Sequence, residues 1–123
     1  MQRIYDCAVD TDLLTGMRLA KIALQRDELV VLPTDTVYGI AANAFSHVGV
    51  KALLAAKGRT EKSPPPVLIS NINQLDALTE FVPEIARRLA ATFWPGALTM
   101  ILKAQPSLQW DLGETKGTVA LRM

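Results

Sequence analysis

The sequence is poor in cysteine, histidine and aromatic residues, and its charges nearly cancel. Cys7 is the only cysteine among 123 residues, and His47 is the only histidine. A single cysteine excludes an internal disulfide and a cysteine-built metal site, and it is typical of a reducing, intracellular setting. The net charge of +1 gives the chain no strong overall field for nucleic acid, so only a local basic patch would attract it.

Long apolar runs and the standard nucleotide loops are also missing. No run approaches the roughly 18 residues that a membrane span needs. The N-terminus has no basic-then-apolar signal pattern. Neither the phosphate-binding P-loop nor the glycine pattern of dinucleotide-binding folds occurs. These absences predict a cytoplasmic protein without membrane contact and without either standard nucleotide cradle.

Half of the residues are hydrophobic, which predicts one domain with a sizeable core. Short apolar runs predict strands, and apolar residues at helical spacing predict helices between them. The predicted strands cover residues 3–7, 29–32, 37–42, 67–69, 98–102 and 118–123. Because strands and helices alternate, the predicted fold class is α/β, in a single domain over residues 1–123.

The predicted helices have recognisable starts. Asp10 or Thr11 is expected to cap the first helix, and Ser46 the second. A third helix starts at Asn71 or Asn73. Pro83 suits the first turn of a fourth helix. The inward face of this last helix is predicted to consist of Ile85, Leu89 and Phe93.

A polar turn interrupts the apolar pattern in "LPTDTVYGIAANAF", which starts at Leu32. Thr34, Asp35, Thr36 and Tyr38 follow a buried-type strand, and ligands of α/β sheets bind beyond strand ends. The turn is therefore a candidate pocket wall. The alternative is a plain polar turn, in which Asp35 bonds local amides and Tyr38 is half buried.

Other polar and aromatic positions allow two interpretations each. Lys57 and Arg59 end a helix, where cations complement the helix dipole or, alternatively, clamp a phosphate or carboxylate. Trp94 either stacks on a ligand or packs in the core. His47 is expected to be exposed in the first turn of its helix. Magnesium would enter through carboxylates and bound substrates.

Five stretches in order carry a resemblance: "LPTDTVYGIAANAF", "KGR", "PPPVLI", "FWPGALTMIL" and "GTVALRM". Together they resemble the YrdC family of threonylcarbamoyl-AMP synthases. The resemblance implies a twisted mixed sheet with helices. It also implies a nucleotidyltransferase that converts L-threonine, bicarbonate and ATP, with Mg²⁺, into threonylcarbamoyl-AMP and pyrophosphate. A tRNA-modifying transferase complex then passes the threonylcarbamoyl group to an adenosine beside the anticodon.

The resemblance also implies roles for individual residues. The threonine and carbamoyl side of the pocket is matched by three residues of the turn: Thr34, Thr36 and Tyr38. Lys57 and Arg59 match the family's catalytic Lys-x-Arg pair, which meets carboxylate and phosphate oxygens, including those of ATP. Arg122 matches an arginine on the ATP side. The resemblance implies no metal ligand from the chain itself.

The sequence departs from the family after Arg122. Family members continue with a proline-led segment and a Ser-x-Asn motif that helps bind ATP, whereas this chain stops at Met123. We therefore expect a domain that lacks its C-terminal part and makes little threonylcarbamoyl-AMP alone. Arg122, at the penultimate position, is expected to be mobile. The last strand is expected to leave an exposed edge through which chains associate into oligomers.

Two alternative functions accompany this resemblance. A shortened chain could keep only RNA binding, as a catalytically incomplete YrdC-like module. A YrdC-like domain also handles carbamoyl adenylate in hydrogenase-maturation carbamoyltransferases. Those proteins carry further modules in front, whereas the motif here begins at Leu32, which disfavours this second alternative.

Overall fold

The computed structural model describes residues 3–123 and confirms the α/β class. Its helices are α1 (Asp10–Gln25), α2 (His47–Ala56), α3 (Gln74–Leu78) and α4 (Glu84–Phe93). Its strands are β1 (Val30–Leu32), β2 (Gly39–Ala41), β3 (Val67–Leu68), β4 (Met100–Lys103) and β5 (Thr118–Arg122). The prediction of a strand at residues 3–7 is wrong, since the chain there is irregular and turns at Cys7.

The strands form two sheets. β1 and β2 pair antiparallel as a hairpin, with Val31 opposite Ile40. In the second sheet the order is β3-β5-β4, with β5 parallel to β3 and antiparallel to β4. This mixed sheet agrees with the predicted class. The expectation that the last strand lies at an edge is wrong, because β5 lies between two neighbours: β4 pairs along residues 118–121, and β3 pairs with Leu121 and Arg122.

The core lies around the three-stranded sheet. Val119 and Leu121 alternate along β5 on its buried face, as the period of a strand requires. Leu75 of α3 is fully buried, and Val50 and Leu54 of α2 join the same cluster. Burying side chains of this size contributes about 1.5–3 kcal/mol each, so this cluster is the main source of stability.

The inward face of α4 differs from the prediction. Ile85 and Phe93 are 61% and 56% exposed, whereas Ala86 and Ala90 are buried. Residues four apart lie on one helical face, and the two alanines form that face here. Small side chains allow the helix backbone to approach the core closely. Leu89 packs against the core, so the prediction is confirmed for Leu89 and wrong for Ile85 and Phe93.

The helix starts match the predictions only in part. Ser46 caps α2 as predicted, because its Oγ accepts a hydrogen bond 2.9 Å long from the amide of Gly49. α1 follows Val9 without a side-chain cap, and Asp10 lies inside the helix. α3 also has no side-chain cap, although Asn73 is in the capping position. None of the helices within residues 3–123 is long and apolar enough to cross a membrane.

Candidate functional site

The turn between β1 and β2 carries the hydroxyls singled out in the sequence. Thr34 closes this turn, because its Oγ1 donates to the carbonyl of Val37 and accepts from the amide of Thr36, 3.3 Å away. The hydroxyls of Thr34 and Thr36 lie 3.4 Å apart. Tyr38 is 76% exposed, so the half-buried interpretation of this residue is wrong. The turn therefore presents the phenol of Tyr38 and the hydroxyl of Thr36 to solvent, while the hydroxyl of Thr34 is bonded within the turn.

Asp35 connects this turn to the three-stranded sheet. Its Oδ2 accepts a hydrogen bond 2.6 Å long from Nη2 of Arg122, which lies 87 residues further along the chain. The interpretation that Asp35 bonds local amides is therefore wrong. The side chains of Arg122 and Asp35 are only 21% and 31% exposed, so solvent screens this pair less than a surface pair.

The structure also corrects the expectation that Arg122 is mobile. Arg122 is the last residue of β5 and pairs with Leu68 of β3. Its carbonyl accepts a hydrogen bond from the amide of Ile69, and the next carbonyl, of Met123, accepts one from Gly96. Strand pairing thus fixes the backbone while Asp35 fixes the guanidinium.

The guanidinium of Arg122 keeps unused donors. Its Nε atom is buried and has no hydrogen-bond partner among residues 3–123. Arginine carries five N–H donors and no acceptor, and Asp35 uses one of them here. A buried donor without a partner costs free energy unless an ordered water or a ligand supplies the acceptor. A phosphate or carboxylate supplies the acceptors that this position lacks.

Lys57 and Arg59 lie at the exposed end of α2. Lys57 is the C-cap residue, Gly58 has a positive φ of 61°, and the amide of Arg59 returns to the carbonyl of Leu54 at 2.9 Å. Both side chains are exposed. This geometry ends the helix, because the glycine at position 58 tolerates the left-handed conformation.

The two groups of candidate residues are not joined directly. Among residues 3–123, no hydrogen bond or ion pair connects Lys57 or Arg59 to the Thr34–Tyr38 turn. Arg59 instead lines a groove of about 530 Å³ whose walls include Lys51 and Asp111. A cleft shared by the turn and the two cations stays a prediction.

The remaining candidates are structural or peripheral. Trp94 is 7% exposed and donates through Nε1 to the carbonyl of Leu98 at 2.7 Å, so it packs in the core. His47 is exposed in the first turn of α2, as predicted, and lies 3.4 Å from a carboxylate oxygen of Asp111. Within the described part of the chain, no three His, Cys, Asp or Glu side chains form a group that could hold a metal ion.

The sequence did not reveal the pairing of Asp35 with Arg122. Local spacing rules relate residues a few positions apart, and these two are separated by most of the chain. The only sequence indication was an acidic residue in the turn and a basic residue in "VALRM". Their pairing depends on the position of β5 beside β3, which no local pattern determines.

Comparisons with known proteins agree with this architecture. Residues 22–123 match the sequence model of the Sua5/YciO/YrdC family, which is described as telomere recombination. The chain is 46% identical, over all 123 residues, to a putative threonylcarbamoyl-AMP synthase of Mycobacterium leprae. It is 45% identical over 105 residues, or 85% of its length, to the threonylcarbamoyl-AMP synthase of Bacillus subtilis.

Solved structures show the same fold. Sua5 of Pyrococcus abyssi in complex with L-threonine superposes with a TM-score of 0.81 over 87% of this chain, at 38% identity. Escherichia coli YciO gives a TM-score of 0.74 over 89% of the chain, and its 20% identity supports the fold alone. The chain spans 56% of the Mycobacterium leprae relative, 30% of the Bacillus subtilis one, 32% of the Sua5 chain and 52% of YciO. By sequence and by fold, the chain belongs to the Sua5/YciO/YrdC family.

Proposed function

We propose that this chain is the threonine-binding part, and a portion of the ATP-binding part, of a threonylcarbamoyl-AMP synthase. The proposed reaction joins the amine of L-threonine to bicarbonate as a carbamate, with loss of water. A carbamate oxygen then attacks the α-phosphorus of ATP, and pyrophosphate leaves. The relatives named as threonylcarbamoyl-AMP synthases support this proposal, as does the threonine complex of the related Sua5.

The Asp35–Arg122 pair is the observation that carries the proposal. It places a guanidinium with free donors next to the turn that bears Thr34 and Thr36. The carboxylate of threonine, bicarbonate and the phosphates of ATP are all negatively charged, so a site that brings them together needs fixed cations. Because Arg122 is held by a strand and by a carboxylate, it is oriented before substrate binds. Donors oriented in this way act mainly by electrostatic stabilisation of the developing charge.

Each remaining residue has a proposed role. Thr34, Thr36 and Tyr38 are the proposed contacts to threonine or the carbamoyl group, and Thr36 and Tyr38 are exposed on the turn. Lys57 and Arg59 are the proposed catalytic cations that meet carboxylate and phosphate oxygens, including those of ATP. Their exposed position allows them to approach a bound substrate. Holding the carbamate and the α-phosphate in line contributes a large effective concentration.

Magnesium enters this proposal as part of the substrate. Residues 3–123 contain no group of three potential His, Cys, Asp or Glu ligands. Mg²⁺ is commonly bound through substrate phosphates and one or two carboxylates, and this mode needs no cage of protein ligands. In this proposal the ion arrives with ATP and neutralises part of the triphosphate charge.

The product also suggests a partner. Threonylcarbamoyl-AMP is a mixed anhydride that water hydrolyses, so an enzyme must take it up soon after it forms. A transferase complex that modifies tRNA beside the anticodon, in the cytoplasm, is the proposed acceptor. The names of the relatives favour this route over a domain of a hydrogenase-maturation carbamoyltransferase.

The test compares the 123-residue chain with an extended chimera. In the chimera, the part of the Mycobacterium leprae relative that follows the matched region is joined after Met123. We expect threonine- and bicarbonate-dependent release of pyrophosphate from the chimera and little from the 123-residue chain. Thr36→Ala and Arg59→Ala should lower pyrophosphate release from the chimera. The matched control is Arg88→Ala, which replaces an exposed arginine of α4.

Two results would contradict this proposal. One is pyrophosphate release from the chimera that does not depend on threonine. The other is salt-dependent binding of tRNA by a chimera that has no threonine-dependent turnover, since log affinity falls with log salt when phosphates are the main contacts. The second result would favour an RNA-binding, catalytically incomplete module.

A further inference from the structure

A segment remote in sequence holds the loop that follows Arg59. The amide of Glu114 donates to the carbonyl of Glu61 at 2.7 Å. The other hydrogen bonds of the 60–63 turn lie within the turn and connect Lys62 and Ser63 to Thr60. The bond from Glu114 is therefore the only one that links this turn to another part of the described chain. The position of this turn thus depends on the segment of residues 110–114.

Gly113 makes this contact sterically possible. Its φ is +105°, in the region that favours glycine, and a Cβ there would lie 2.5 Å from the carbonyl oxygen of Glu61. That oxygen belongs to the backbone, so no flexible side-chain end can move aside. Any larger residue at position 113 must push the 60–63 turn away.

The 110–114 segment is itself anchored. The ring of Trp110 stacks on Phe45 with 5.3 Å between centroids. Asp111 lies 3.4 Å from His47 at the start of α2, and Leu112 is buried in the core. The segment therefore contacts α2 at its first turn and the loop after α2 at Glu61.

We propose that Gly113 and the amide of Glu114 hold the 60–63 turn and thereby position the adjoining end of α2, which carries Lys57 and Arg59. The effect on catalysis by Lys57 and Arg59 rests on the proposed function, whereas the contact that holds the 60–63 turn does not. Gly113 touches no substrate in this proposal and is a positioning residue. A displacement of about 1 Å at a catalytic group can cost on the order of 100-fold in rate.

Gly113→Ala and Gly117→Ala form a matched pair that tests the proposal. Gly117 also has a positive φ, of 76°, but a Cβ there meets nothing within 4 Å. Both variants incur the cost of alanine at positive φ, and only Gly113→Ala adds the clash. In the 123-residue chain, we expect faster amide exchange at Arg59 and Lys62 in Gly113→Ala than in Gly117→Ala. In the extended chimera, Gly113→Ala should lower kcat 10-fold or more, with a smaller change in the KM for threonine.

The outcomes separate positioning from function. Equal exchange at Arg59 and Lys62 in the two variants overturns the proposal. If amide exchange is faster in Gly113→Ala but the chimera shows no turnover, the proposed function is refuted and the contact of residues 113–114 with the 60–63 turn is supported. If exchange is faster and kcat is unchanged, the contact does not position the catalytic residues. If Gly113→Ala does not fold, Glu114→Pro decides by the same measurements, because proline removes the donor to Glu61 and its ring displaces the Glu61 carbonyl while residue 113 stays glycine.

Discussion

Two regions of the molecule are packed differently. One consists of α1 and the β1–β2 hairpin, and the other, called the sheet region, consists of the three-stranded sheet with α2, α3 and α4. In the sheet region Leu121 and Leu75 are fully buried, and Val119 is 1% exposed. By contrast, α1 has no buried residue, and Leu14 and Met17 on its surface are 69% and 61% exposed. None of the hairpin's strand residues is fully buried either. The stability of the described chain therefore comes mainly from the sheet region.

The candidate site combines a residue from each region. The hydroxyls of Thr34 and Thr36 belong to the weakly packed hairpin, whereas Arg122 belongs to the well-packed sheet. Asp35 joins the two through its ion pair with Arg122. Regions with few buried contacts open locally more easily than the core does. The site therefore has a rigid cationic side and a more adaptable hydroxyl side.

The largest predicted effect is on the core of the sheet region. Leu121→Ala removes a fully buried side chain from the central strand and should lower the free energy of unfolding by about 2–5 kcal/mol. Leu14→Ala, on the exposed face of α1, should change it by less than about 0.5 kcal/mol. Urea denaturation of both variants measures the difference. Similar losses in the two variants would show that α1 is as well packed as the sheet.

The next effect is on activity. Lys57→Ala or Arg59→Ala in the extended chimera should reduce threonine-dependent pyrophosphate release about 100-fold or more, because each removes a cation from the proposed anion site. Both side chains are exposed, so we expect little loss of stability. Arg88→Ala is the control. A loss of folding in the Lys57 and Arg59 variants would assign these residues a structural role instead.

A smaller effect tests the connection between the two regions. Asp35→Asn keeps the shape of the side chain but removes the charge that faces Arg122. Because the pair is partly buried, we expect a loss of about 1 kcal/mol in stability. Amide exchange should become faster at Val31 and Ile40 of the hairpin and stay unchanged in β4. Unchanged exchange in the hairpin would show that Asp35 does not hold the two regions together.

The sequence predicted the elements better than their arrangement. The helix with Ser46 as cap and the strand at Val119 and Leu121 follow from local patterns, which depend on neighbouring residues. The burial of Ile85 was predicted wrongly, because period alone does not determine which side of a helix faces the core. The position of β5 between β3 and β4 and the Asp35–Arg122 pair depend on contacts between residues far apart in sequence. For the same reason, the mobility predicted for Arg122 was wrong.

The smallest predicted effect concerns a second ion pair, in the sheet region. The guanidinium of Arg87 in α4 holds the pKa of the Asp76 carboxyl in α3 below its usual range, mainly through a direct hydrogen bond. A lowered pKa in the folded state means that the pair stabilises the protein above the unfolded-state pKa of about 3.9. This contribution is lost as the pH falls through the folded-state pKa. Asp76→Asn should therefore be slightly less stable than the wild type at pH 7, and the difference should vanish in acid.

Salt distinguishes this pair from the one at the candidate site. The Asp76 and Arg87 side chains are 57% and 47% exposed, so about 1 M salt should nearly abolish the effect of Asp76→Asn. The effect of Asp35→Asn should persist under the same conditions, because that pair is more buried. Thermal melting of the two variants at low and high salt measures both effects. Equal salt sensitivity would mean that the Asp35–Arg122 pair is as solvated as a surface pair, which would weaken the case for a preorganised guanidinium at the site.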